Sequence, residues 1–283
     1  MLLKLMKHEM KSLWHYCGVV IICVLIASVV FELGVVGTVV ANNDVLNIIM
    51  IPSLIFLGFA IVAVLSYGIQ FGVAFRFYRT MSSDEGYLTH TLPVTTSQHI
   101  LSKLFSASIY VLIGIIYLAI FIAVTALILM GLTGGIQELT DFLRDLGVFV
   151  DEIRKYINIP IALYIIEFII MGIFSMVFSI LVMYLSVALG QLVNSHKLIM
   201  SIVFYTIITS VIGIITQIGT MIFSMVEGFM STIASTNSEA MTPERIMAGM
   251  QTIMLVTLVV MIGFGLGAFF ITKYIYERKL NLE

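Results

Sequence analysis

LFSASIYVLIGIIYLAIFIAVTALILMG, residues 104–131, runs 28 residues without an Asp, Glu, Lys or Arg. About 20 predominantly apolar residues suffice for a helix to cross the roughly 30 Å hydrocarbon layer of a bilayer. In lipid, a helix satisfies all of its backbone groups from within one segment. The stretch therefore reads as a membrane-spanning helix. Five further apolar runs sit near 17–38, 47–75, 160–189, 198–226 and 250–273. Composition agrees, with 60% hydrophobic and 11% charged residues and a mean hydropathy of +1.13, where ordinary soluble domains carry about 25% charged residues. The expected fold class is an all-α membrane protein, a single transmembrane domain over residues 1–283 with six transmembrane helices.

The segment just before that run, MSSDEGYLTHTLPVTTSQHILSK (81–103), is polar but patterned. Ser82 with Glu85 has the spacing of a capping box, which opens a helix by satisfying orphan N–H groups. Tyr87, Leu88, Thr91 and Leu92 then share one face at helical spacing. Pro93 lacks an N–H and disfavours helix at Leu92, so the short helix ends there. Thr95 with Gln98 repeats the box and starts the next helix. The pattern predicts a short capped helix over 82–94 whose apolar face has no evident place in its own chain.

Charge sets the topology. Lys4, Lys7, Lys11, Arg76, Arg79, Lys103, Lys197, Lys273, Arg278 and Lys279 fall on one side, which is 10 of the 14 Lys and Arg. Arg144, Arg154, Lys155 and Arg245 fall on the other. The positive-inside rule then makes both termini cytoplasmic. Residues 1–16 are amphipathic, with Lys4, Lys7, His8, Lys11 and His15 on one face and Leu3, Met6, Met10, Leu13 and Trp14 on much of the other. That predicts an interfacial helix, lysines toward anionic headgroups and Trp14 in the aromatic belt, and the segment is not expected to be a cleavable signal. Residues 136–158 place Leu139, Phe142, Leu143, Leu146, Phe149 and Val150 on one stripe, an external amphipathic helix between spans three and four. Residues 231–245, rich in Ser, Thr and Asn, read as an outer loop.

Catalytic and metal-binding patterns are missing. The chain has no GxSxG, HExxH, CxxC or P-loop motif. His8, His15, His90, His99 and His196 are not spaced as metal ligands, and Cys17 and Cys23 point to different sides of one helix. The net charge of −2 says nothing about nucleic acid, but the chain has no basic tract to bind it, and nucleic acid is not expected as a partner. No metal and no cofactor is expected in this chain, and a membrane-embedded hydrolase is disfavoured. Glu167 is the one acid expected deep in a span, where an unpaired charge costs about 2.5–3.5 kcal/mol. Glu32 and Glu227 lie near outer helix ends. Glu167 and Gln217 are the candidate substrate-pathway residues. The other membrane polar groups, Gln70, Tyr110, Tyr117, Tyr164 and Tyr184, are too scattered in sequence to define a cavity.

Six helices, an interfacial N-terminal helix and the stretch FRFYRTMSSDEGYLTHTLPV resemble the permeases of the bacterial ABC-2 type exporter superfamily. The motif runs Phe77-Tyr78-Arg79-Thr80-Met81, Asp84-Glu85-Gly86-Tyr87-Leu88-Thr89 and Thr91-Leu92-Pro93-Val94, and the tail Arg278-Lys279-Leu280-Asn281-Leu282-Glu283 looks like the endings of such permeases in Gram-positive bacteria. The resemblance implies that 82–94 is a coupling helix docking on a separate ABC ATPase subunit, which binds ATP and Mg. Asp84, Glu85, Gly86, Tyr87, Leu88, Thr91, Leu92 and Pro93 would form the ATPase-coupling site. Lys4, Lys7, Lys11 and Trp14 would belong to an interfacial elbow, and a second permease, identical or paralogous, would complete the complex. The expected function is the permease subunit of an ATP-driven exporter in the bacterial cytoplasmic membrane. It would move a hydrophobic or amphipathic substrate, peptide or drug-like, by alternating access, without an ATPase site of its own. The alternative is a proton-coupled secondary transporter using Glu167.

Overall fold

Each apolar run folds as a helix longer than the layer it has to cross. The computed structural model describes residues 2–41, 44–83, 86, 94–133, 136–156, 161–193, 196–236 and 243–278. Helix α1 (Leu2–Leu13) passes through a π-helical turn, Trp14–Gly18, into α2 (Val19–Ala41). There follow α3 (Asp44–Ser82), α4 (Thr96–Thr133), α5 (Ile136–Tyr156), α6 (Ile161–Gly190), α7 (Lys197–Thr236) and α8 (Pro243–Arg278). Six stretches are long and apolar enough to span: Leu3–Val40, Ile48–Ser82, Thr96–Gly131, Leu163–Gly190, Lys197–Val226 and Gln251–Arg278. The protein is an all-α, multi-pass membrane protein, as its composition requires.

The chain divides into two compact units, Met1–Gly147 and Val148–Glu283. In the first, α2, α3 and α4 pack on one another and α1 packs on α4 and α3. The core follows a four-residue repeat along α3. Ile61, Leu65, Ile69, Val73, Phe77 and Met81 are all buried, because residues four apart stack on one helix face. In the second unit α6 is central, with α7 and α8 both packed against it, and it buries Met176, Ile180, Leu181, Tyr184 and Val187.

Gly190 at the end of α6 permits a close approach to α7. A Cβ there would lie 2.8 Å from both the backbone N and Cα of Ser201, which no side chain tolerates. The tight connection is closed by His196, whose φ of 53° places it in the left-handed region.

Two local expectations hold at the residue level. The N–H of Thr95 donates to Gln98 Oε1 at 3.3 Å and that of Gln98 to Thr95 Oγ1 at 3.4 Å, the reciprocal capping box with α4 starting at Thr96. Of the segment 136–158, Ile136–Tyr156 forms α5, and Leu143, Leu146, Phe149 and Val150 are exposed along it. The span expected to end near 75 continues as helix to Ser82. Its 39 residues measure about 58 Å at 1.5 Å per residue, so α3 projects beyond the hydrocarbon layer.

Candidate functional site

The ends of α3 and α4 form the two stems of the 83–95 connection, and a charged cluster lies between them and α1. Glu9 is buried on α1, and its Oε1 accepts from Lys103 Nζ of α4 at 2.5 Å. Its Oε2 lies 3.9 Å from Arg76 Nε of α3. Lys103, 3% exposed, also donates to Thr80 Oγ1 at 2.8 Å. The Thr80 hydroxyl proton is committed to its own helix, to the carbonyls of Arg76 (2.8 Å) and Phe77 (3.3 Å). A lone pair therefore remains for the lysine. His99, four residues before Lys103 on α4, is buried as well.

Further bonds tie α1 down. Ser106 donates to the Met6 carbonyl at 3.3 Å and Tyr110 to the Met10 carbonyl at 2.8 Å, both from α4. Arg79 Nη1 donates to Tyr16 OH at 3.1 Å. One segment, α1 with its π-turn, is thus bonded to both stems of a thirteen-residue connection. Displacing either stem either drags α1 along or separates a buried carboxylate from its cations, which costs about 3–5 kcal/mol for a pair of this kind.

Sequence reading placed Lys4, Lys7 and Lys11 on an outward face, and all three are exposed. Of the apolar side that it grouped together, Leu3 and Trp14 are 79% and 53% exposed, Met6 and Met10 are partly buried and Leu13 is buried. The inward residue that it passed over is Glu9. An acid among the inward positions of an amphipathic helix is the signal that was available, since such a group is buried only with a partner. Arg76, Thr80 and Lys103 were likewise missed as partners.

Of the coupling residues, Asp84, Glu85, Tyr87, Leu88, Thr91, Leu92 and Pro93 lie outside the described residues. Gly86 is buried, its N–H donates to the Ser83 carbonyl at 2.6 Å, and a Cβ there would sit 3.0 Å from the Met81 carbonyl oxygen. The backbone therefore turns back on the end of α3, and glycine is the residue that allows it. Ser82 is the last residue of α3.

The second unit contains a cavity of about 660 Å³ between α6, α7 and α8, walled by apolar side chains with Ser175, Thr209, Thr216 and Thr257 among them. Neither Glu167 nor Gln217 lines it, and Gln217 is exposed. Glu167 lies one turn from Tyr164, whose hydroxyl donates to Gln251 Oε1 of α8 at 3.4 Å. Glu167 Oε1 is buried and has no hydrogen-bond partner among the described residues. The described residues contain no group of three His, Cys, Asp or Glu able to hold a metal. Comparison with family models, curated proteins and solved structures finds no match.

Proposed function

We propose that this chain is the membrane-spanning permease subunit of an ATP-driven exporter, powered through the 83–95 connection by a separate ATPase. The observation that carries the reading is the buried Glu9–Lys103–Arg76 cluster. A connection whose two stems are held to a third helix by buried charge is built to transmit a push into the bundle. That is what a docking helix between spans two and three has to do. The motif from Phe77 to Val94 supplies the resemblance, and ten of the fourteen cations gather on the side of that connection. This side is the cytoplasm of a bacterial cell, and the membrane is its cytoplasmic membrane. Two permeases and two ATPases make the working unit, and a hydrophobic or amphipathic substrate suits the apolar cavity between α6, α7 and α8.

The test is purification of the complex from membranes. A soluble ATPase is expected to co-purify, and Leu88→Asp is expected to release it while the permease remains folded. Transport by the lone chain in vesicles under a pH gradient would overturn the reading. That outcome would favour a proton-coupled carrier, for which the enclosed, unpartnered Glu167 oxygen speaks. Glu167→Gln would then abolish transport.

A further inference from the structure

Glu32 was expected near water at the outer end of the first span. It is half-buried and lines a cleft of about 350 Å³ between α2 and α4, walled by Val29, Tyr117, Ile120, Phe121 and Val124. Its Oε1 accepts from Thr125 Oγ1 at 2.6 Å. Its Oε2 is buried and has no hydrogen-bond partner among the described residues.

Every hydroxyl proton in the cleft is accounted for. Ser28 donates to the Leu25 carbonyl at 2.8 Å. The 2.7 Å contact between Ser28 and Tyr117 is therefore a donation from the tyrosine. Thr125 has one proton, held between Glu32 Oε1 and the Phe121 carbonyl at 2.9 Å. No donor in the wall is left for Oε2.

The surroundings fit a cation with an apolar body. Tyr117 and Phe121 line the cleft, aromatic residues of the kind that attract an ammonium group, and Phe121 packs on Phe31, with ring centroids 5.4 Å apart. We propose that the α2–α4 cleft is a binding site for an organic ammonium ion, its charge against the half-buried Glu32 carboxylate and its apolar part between Ile120 and Val124. Binding is a claim about this chain alone. That the bound cation is transported cargo rests on the permease reading.

The test uses 4-(trifluoromethyl)benzylamine, with 4-(trifluoromethyl)benzyl alcohol as its uncharged counterpart, titrated against the purified chain in nanodiscs and read by fluorine NMR. The amine is expected to bind the native chain more tightly than the alcohol. Glu32→Gln is expected to weaken the amine about tenfold or more, the scale of one charge-assisted hydrogen bond, and to leave the alcohol unchanged. Thr125→Val, which frees Oε1, should give an intermediate loss for the amine alone. Equal affinities of amine and alcohol in the native chain would mean a groove for lipid tails and overturn the proposal, as would unchanged amine binding in Glu32→Gln. Should that variant not fold, Val124→Trp fills the cleft without altering the carboxylate. It should abolish amine binding, and retained binding overturns the site. Amine binding without ATP-driven amine export would leave the site standing and count against its role in transport.

Discussion

The two units hold their helices together in different ways. In the first, side chains bond across helices at many levels: Lys103 to Glu9 and Thr80, Tyr110 to Met10, Tyr117 to Ser28, Thr125 to Glu32 and Arg79 to Tyr16. In the second, the hydroxyls of Thr206, Thr209, Thr216, Thr220 and Ser224 on α7 all donate to carbonyls of their own helix. A side-chain bond crosses helices there too, from Tyr164 to Gln251 at 3.4 Å. Lipid tails are as apolar as the helices, so association in a membrane depends on packing and interhelical polar bonds. The first unit is pinned by directional bonds between its helices, and the second leaves a cavity among its three.

The sharpest way to break this contrast is at Glu9. Glu9→Ala leaves Lys103 and Arg76 without their buried carboxylate and should destabilise the first unit by about 3–5 kcal/mol. The measurement is the thermal midpoint in detergent. The double variant Glu9→Leu with Lys103→Met should lose less than Glu9→Ala, because one buried cation rather than two is left without its carboxylate. Additive losses would show that the pair is not coupled.

In the second unit, shape is the thing to disturb. Gly190→Ala drives a methyl into the Ser201 backbone and should cost about 1–3 kcal/mol by overpacking, read as faster proteolysis between α6 and α7. The smallest effects separate the two units directly. Tyr117→Phe removes a cross-helix bond worth about 0.6 kcal/mol. Thr216→Val removes only an intrahelical one and should stay within about 0.5 kcal/mol of the native chain. Equal losses at these two positions would remove the distinction.

Legibility in the sequence follows the range of the interaction. The Thr95–Gln98 capping box was readable because donor and acceptor sit three residues apart. Helix α5 was readable because its stripe repeats within one segment. Glu9 was not, since its partners at Arg76 and Lys103 lie 67 and 94 residues away and each looks like one more interfacial charge. The cavity was half readable. Tyr205, Thr209, Thr216 and Thr220 fall on one stripe of α7, but the walls that face it come from α6 and α8. Glu32 looked like an acid close enough to a helix end to reach water, and only the packing of α4 against α2 encloses one of its oxygens.

The sequence by itself determined the six spans, because lipid admits no other use for six long apolar runs, and it determined the start of α4, which the Thr95–Gln98 capping box sets locally. It did not determine how each span is rotated. Helices that are apolar all round carry little periodic signal for which face turns inward, since lipid accepts any apolar face. Tertiary structure decided that, through the few polar residues that found one another: Glu9 with Lys103, Glu32 with Thr125, and Ser28 with Tyr117.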